Sequence, residues 1–561
     1  MRLRRERMWG RGIRGSSLAA AGCAALVWVL ALGASSSRAG DDSKPASKEP
    51  RSLAAESLNA NFLDPLLEAF WEEEGVKPPR PASDEEFLRR AHLDIIGRIP
   101  NIQETQAFLT AKEADKRAKL VERLLDHVDY QKNFAAVWTN LLIGRGDKGR
   151  NVDRVALNDW LRKQFAANRP WNEVVYDLVT ATGSNQENGA VNFTLAHLEA
   201  EAVPLTSRTT RLFLGQQLQC TQCHDHPQND WKQSDFWGMN AFFRGIKTEE
   251  KRAADATGLE RYDHTELSDQ PTDAFARFER RNGMMGVAFP RFLDGEKLPP
   301  GSNRIRRVEL GERIADPDSD LLPRAMANRM WAHFMGRGFV NPVDDIGPHN
   351  TPLAPEVFDA LAEEFRAGGF DIKQLIRWIT SSKAYQATSL RETKGGSADD
   401  EAEDLFNVMI LRPMTPEQLF DSLVTATSAH RPSASRDDAK RDAWMRQFLF
   451  VFGNDEEDET TSFQGTIPQS LLMMNGEMMR DAISDKPGGF LAEVVERARS
   501  RGRSPAALII DQIYLGALSR YPTTRERQTA LRYLQTHPDS MGVVQDLFWA
   551  LLNSNEFILI H

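Results

Sequence analysis

Apolar residues recur at helical spacing along most of this chain. Leu120, Val121, Leu124, Leu125 and Val128 share one helical face, and so do Ile372, Leu375, Ile376 and Ile379. The polar residues ahead of such runs are ones that cap helices. Ser83 and Asn101 each stand three residues before a glutamate, Glu86 and Glu104, the capping-box spacing in which side chains satisfy the first unpaired N–H groups. Asp371 takes the cap position before the second run. Pro355 suits a first turn, where its missing N–H costs nothing, and Gly368-Gly369 closes that helix. Thr415-Pro416-Glu417-Gln418 starts another. Alternating stretches that would mark half-buried strands are few. The pattern predicts a mainly α protein, with two helical domains joined by a long irregular segment.

The periodicity fails in three places: Lys247 to Met285, which is charged and weakly periodic, Thr393 to Asp404, and His430 to Arg441. No short-period repeat is visible. The front of the chain is different again. Six arginines and one acid, Glu6, precede an apolar run from Leu18 to Gly33, and Ser37-Arg38-Ala39 follows. Basic, apolar and small-residue blocks in that order make a secretory signal peptide, with cleavage expected near Ala39; an uncleaved membrane anchor is the alternative. Cys23 lies inside the apolar run with no leucine three residues before it, which argues against a lipoprotein, and Arg4-Arg5 is a weak twin-arginine signal. The expected divisions are a signal peptide at 1–39, a flexible tether at 40–57, a first domain at 58–246, an irregular linker at 247–300 and a second domain at 301–561. The expected location is outside the cytoplasm: periplasm, cell surface or medium.

Charge narrows the class of partner. The formal net charge is -10, and losing residues 1–39 removes seven arginines and Glu6, taking 70 basic and 80 acidic residues to 63 and 79. A surface that acidic does not suit nucleic acid, whose phosphates need cations. After the leader, no segment is apolar enough to span a membrane.

Export also bears on the cysteines. Of the three in the chain, Cys23 leaves with the leader, and the other two sit in Cys220-Thr221-Gln222-Cys223-His224. This is C-x-x-C-H, the attachment signature of a c-type haem: two thiols add to the vinyl groups and the imidazole ligates the iron. Pro204 and Thr206-Ser207 could open a helix that carries Cys220, Cys223 and His224 on one face near its end, before Pro227. Two other chemistries use the same residues. One is a disulfide or redox-active pair. The other is a metal site, such as zinc, formed by Cys220, Cys223, His224 and His226. For a haem, His224 would be proximal. His226 is too near to reach the other face of the iron, and Met239, Met284 and Met285 are candidates that the sequence does not separate.

A second constellation is Asn328-Arg329-Met330-Trp331-Ala332-His333-Phe334 followed by Val343-Asp344-Asp345-Ile346-Gly347-Pro348-His349-Asn350. Asp344, Asp345 and His349 could hold a hard cation or do acid–base work. A capped turn, with Arg329 paired to one of the aspartates, accounts for the same residues. Asp455 to Glu459 is an unbroken acidic run. It lacks the alternation and the turn glycine of a calcium loop, so it reads as a solvated loop.

Phe87-Leu88-Arg89-Arg90-Ala91-His92-Leu93-Asp94-Ile95-Ile96-Gly97-Arg98-Ile99-Pro100 resembles the opening of the planctomycete cytochrome-C-like domain, the PSCyt type. Cys220 to Pro227, with Trp231 and Phe242-Phe243 behind it, resembles that family's most distinctive block. Asn328 to Trp331 through Asp344-Asp345 resembles the planctomycete-specific PSD domain, as do Ile467 to Leu471, Ala517 to Pro522 and Asn553 to Phe557. The resemblance implies an exported protein built from two domains of unknown function, cytochrome-like first. The leading expectation is one haem c on Cys220, Cys223 and His224, passing electrons to or from another redox protein. The rivals are an extracytoplasmic enzyme, acting on an unidentified substrate such as a polymer, with Asp344, Asp345 and His349 near its site, and a binding module whose C-x-x-C is a disulfide.

Overall fold

Helices form where apolar spacing and caps coincide. The computed structural model describes residues 61–273, 275–296, 304–390, 405–427, 437–452, 467–500, 505–537 and 540–561, all within one unit spanning Leu58–His561. The leader, the tether, the loop at 393–404 and the run Asp455 to Glu459 lie outside them. So does most of His430 to Arg441, although a helix begins at Asp437 where a loop was expected. Ser83 accepts the Glu86 N–H at 3.2 Å, and Asn101 and Glu104 cap each other at 2.9 and 2.7 Å. Thr415 and Gln418 do the same at 3.2 and 2.9 Å. Leu120, Val121, Leu124 and Leu125 are buried by the helix Lys116–Leu125. Val128 does not continue it. His127 accepts the Asp129 N–H and opens a new helix, Val128–Ile143, leaving Val128 exposed.

Two cores result. The larger joins residues from both sides of the 247–300 segment, with Trp71, Phe134 and Trp138 in the same cluster as Trp331, Phe339 and Phe358. The smaller is made by residues between Met414 and Ile560, and it receives Leu93 and Ile99 from the front of the chain. The helix Asp84–Ile96 therefore touches both, and nearly every residue in it is buried, including Arg89, Arg90, His92 and Asp94. Burying a charge is costly unless it is paired. Arg89 donates to the carbonyls of Ala517 and Phe557 at 3.0 and 2.7 Å. Asp94 accepts from Tyr385 at 2.8 Å and Arg412 at 2.6 Å. The polar groups of this helix thus fasten the two cores together.

Between the helical parts the chain makes antiparallel hairpins set among loops: Ile246–Ala254 with Glu260–Asp269, and Ala276–Glu279 with Met285–Ala288. The pattern of the first hairpin hid it because most of its residues face solvent, whereas the four-residue strands of the second alternate buried and exposed but are too short to stand out. Alternation of apolar and polar residues registers in a sequence only when one face of a strand is continuously covered.

Candidate functional site

The cysteine loop begins where a helix is stopped. The helical span Glu199–Leu214, kinked at Ala200–Ala202 where φ is positive, ends at Gly215, in the left-handed conformation (φ +64°), and does not run on to His224 as the sequence suggested. A Cβ at Gly215 would lie 2.7 Å from Ile346 Cδ1, so the docking of the 344–350 loop fixes the stop. The Ile346 N–H donates to the Gly215 carbonyl at 2.8 Å, and Gln216 Nε2 donates to the Ile346 carbonyl at 2.6 Å.

Leu218–Gln222 then forms a 3₁₀ turn, with Cys223 as its cap. Such a turn has three residues per revolution, so positions i and i+3 eclipse, which sets Cys220 and Cys223 on one side without any α-helix. Both thiols are exposed and unbonded. Buried Thr221 anchors the turn by donating to the Leu218 carbonyl at 2.6 Å. The Gln222 carbonyl, between the cysteines, accepts from Trp237 Nε1 at 3.0 Å and Gln233 Nε2 at 3.1 Å. His224 is exposed, and its Nδ1 lies 2.7 Å from the Asp225 carbonyl. A carbonyl can only accept, so Nδ1 is the donor in this contact, and in the neutral imidazole the lone pair is on Nε2.

The second constellation meets this loop. Asp344 is buried and accepts from Arg211 Nε and Gln217 Nε2, each at 2.6 Å, so it is a structural anchor of the cysteine loop. Arg211 is thus one arginine on Asp344, and Arg329 donates to the Leu212 carbonyl at 2.9 Å among its contacts. Asp345 Oδ1 accepts from His349 Nε2 at 3.1 Å. The opposite nitrogen, His349 Nδ1, is buried with no hydrogen-bond partner among the described residues, and the side chain is 10% exposed. Facing it is His226, its ring centre 5.6 Å away. The His226 backbone N–H donates to the Trp231 carbonyl at 2.8 Å, and its Nδ1 accepts the Gln228 N–H at 3.2 Å. Partial burial and the His349 imidazole hold His226 below the usual histidine range. Gly347 permits the approach: a Cβ there would stand 2.9 Å from the His349 ring and 3.0 Å from Asn229 Nδ2.

The structure thus gathers Cys220, Cys223 and His224 on one turn, and His226, His349 and Asp345 beside it. Among the described residues no group of three or more His, Cys, Asp or Glu side chains converges to hold a metal ion, so the four-ligand set Cys220, Cys223, His224 and His226 is not preassembled. Met239 is completely buried in the larger core, while Met284 and Met285 are exposed on a hairpin. The supporting residues Arg211, Gln217, Gln233 and Trp237 carried no signal in the sequence, because their roles depend on partners distant along the chain.

A family model described as PSCyt2, a protein of unknown function (DUF1549), matches residues 62–248. A second, described as PSD1, a protein of unknown function (DUF1553), matches residues 306–443. The cysteine loop lies in the first match and the Asp344–His349 loop in the second. No curated protein and no solved structure matches the chain.

Proposed function

Because the chain belongs to the proteins that join a PSCyt2 domain to a PSD1 domain, we propose that it is an exported member carrying one c-type haem on Cys220, Cys223 and His224, and that it exchanges electrons with another redox protein. The observation that carries this reading is the contact of His224 Nδ1 with the Asp225 carbonyl. With Nδ1–H committed to the Asp225 carbonyl, Nε2 is the nitrogen available to iron, and the carbonyl fixes the ring's orientation. The two exposed thiols, one on the 3₁₀ turn and one at its cap, supply the other attachment points. Each S–H adds across a vinyl C=C, sulfur to one carbon and hydrogen to the other, so attachment needs reduced thiols and no oxidant. The bound haem supplies one-electron carrier chemistry. The protein's part is to hold the turn, through Thr221, Gln233 and Trp237, and to set the electrostatics around it. The basic, apolar leader at 1–39 fits this reading, since haem c attachment takes place outside the cytoplasm.

The test is expression in a host competent in haem attachment, followed by haem staining of the denatured protein and a Soret spectrum. Stain that survives denaturation and disappears in Cys220→Ser and Cys223→Ser is expected. A colourless wild-type protein would overturn the reading.

A second reading is favoured by the Asp345–His349 pair. A carboxylate holding one imidazole nitrogen while the other is buried and unengaged is the arrangement of an oriented general base, and it suits hydrolytic chemistry on a polymer. Hydrolysis of chromogenic ester or glycoside substrates that is lost in His349→Gln, with the fold intact, would favour it. Equal activity in the variant would dismiss it.

A further inference from the structure

We propose that His226 and His349 together bind one divalent first-row transition metal ion, of the Cu²⁺ or Zn²⁺ class, between the loops that carry them, with solvent completing its coordination. An orphaned atom points to it. His349 Nδ1 is buried with no hydrogen-bond partner among the described residues, and the side chain is 10% exposed. A buried polar atom without a partner forfeits its hydration, and a bound ion or water is among the few reasons for one in a native fold. His349 Nε2 donates to Asp345 Oδ1 at 3.1 Å, so in the neutral imidazole Nδ1 carries the lone pair. A carboxylate that holds one ring nitrogen and leaves the other free is the outer support of metal-bound histidines, where it fixes the ring and makes it more basic.

A second imidazole faces the first. A ring nitrogen stands about 2.0–2.1 Å from a bound metal, which puts the ion about 3.2 Å from the ring centre, so the centres of two such rings are at most about 6.4 Å apart. Those of His226 and His349 are 5.6 Å apart. The Nδ1 edge of His349 is turned toward the loop of His226: the position of a Cβ on Gly347 would be 2.9 Å from His349 Nδ1 and 3.0 Å from Asn229 Nδ2. The His226 N–H donates to the Trp231 carbonyl at 2.8 Å and closes that loop on itself. In His226 the lone pair is on Nδ1, which accepts the Gln228 N–H at 3.2 Å. Gln228 is exposed, so water can satisfy its N–H when a metal takes that lone pair. Imidazole suits copper and zinc, and an ion held by two protein ligands keeps open positions for solvent or substrate. The site does not depend on the haem reading. It competes with the general-base reading, because a metal on His349 Nδ1 occupies the lone pair that a base would use.

The experiment titrates Cu²⁺ into the purified full-length protein after any free thiol has been alkylated. It reads binding together with the nitrogen splitting in the electron paramagnetic resonance spectrum. One ion per chain with two imidazole nitrogens is expected. His226→Gln and His349→Gln should each lose the two-nitrogen signal, and circular dichroism checks their folds. If His349→Gln does not fold, His226→Gln, in the partly exposed loop, decides. Asp345→Ala should weaken binding about 10–100-fold while both nitrogens remain. His264→Gln, at a histidine on the first hairpin, serves as the control that keeps the signal. A wild type without stoichiometric binding, or a two-nitrogen signal that survives in His226→Gln, overturns the assignment and leaves water as the partner of Nδ1. Loss of the signal in His224→Gln would overturn it too, by placing the metal on the cysteine motif.

Discussion

His226 and His349 face each other with ring centres 5.6 Å apart, although 123 positions of sequence separate them and each lies in a different family match. Asp345 holds the far nitrogen of His349, and the C-x-x-C-H turn begins only a few residues before His226. Two motifs that look independent along the chain therefore lie side by side.

Gly347 controls that meeting. An added methyl group would come within 3.0 Å of both the His349 ring and Asn229, so something must shift. Gly347→Ala should destabilise the fold by about 1–3 kcal/mol, the usual cost of overpacking. The separated loops should also let the His226 titration rise toward an ordinary histidine value. Urea denaturation and histidine NMR measure the two effects, and an unperturbed His226 with full stability would contradict the contact.

Asp344 is the anchor between the halves of the site. Removing its carboxylate strands Arg211 and Gln217, which both donate to it at 2.6 Å. Asp344→Ala should lose about 3 kcal/mol or more, as expected when one partner of a buried ion pair is deleted. The half-exposed neighbour Asp345→Ala should lose less. Denaturant midpoints for the two variants decide the order, and a reversed order would mean that Asp345 is the structural residue.

His92 gives the fold a pH dependence with a definite sign. Burial holds its pKa down to about 4 in the folded protein, against an ordinary value of 6.5. As pH falls below 6.5 the unfolded chain takes up a proton that the folded state refuses, so stability drops across the window from 6.5 to 4 and then levels for this group. The loss is of order 3 kcal/mol. His561, held to about 4 by burial and by nearby Arg89, acts in the same direction. His92→Asn should therefore remove its own share of the slope in that window, leaving the part due to His561 and the other lowered histidines. An unchanged slope would remove His92 from the account.

Arg89 fastens the C-terminal residues to the Asp84–Ile96 helix through the Ala517 and Phe557 carbonyls, and its guanidinium lies over the Phe557 ring. Arg89→Ala leaves two buried carbonyls without a charged donor and should cost about 3 kcal/mol or more. Hydrogen exchange should rise first in residues 505–561, where the smaller core is built. Uniform protection with unchanged stability would show that the contact carries little.

The sequence by itself determined the helical character, and it did so through local physics. Caps such as Ser83, Asn101 and Thr415 satisfy their own helix starts, and runs such as Ile372 to Ile379 declare a buried face, so both are readable within a dozen residues. The candidate chemistry was equally legible, because Cys220, Cys223 and His224 are neighbours. What the tertiary structure alone decided is where local order ends and distant groups meet. The docked loop around Ile346, not Pro227, stops the cysteine helix at Gly215. Arg211, 133 positions away along the chain, pairs with Asp344. The hairpin Ile246–Ala254/Glu260–Asp269 faces solvent along most of its length and so left little periodic trace. Each of these outcomes depends on desolvation and contact between segments far apart in the chain, energies that no local pattern of residues encodes.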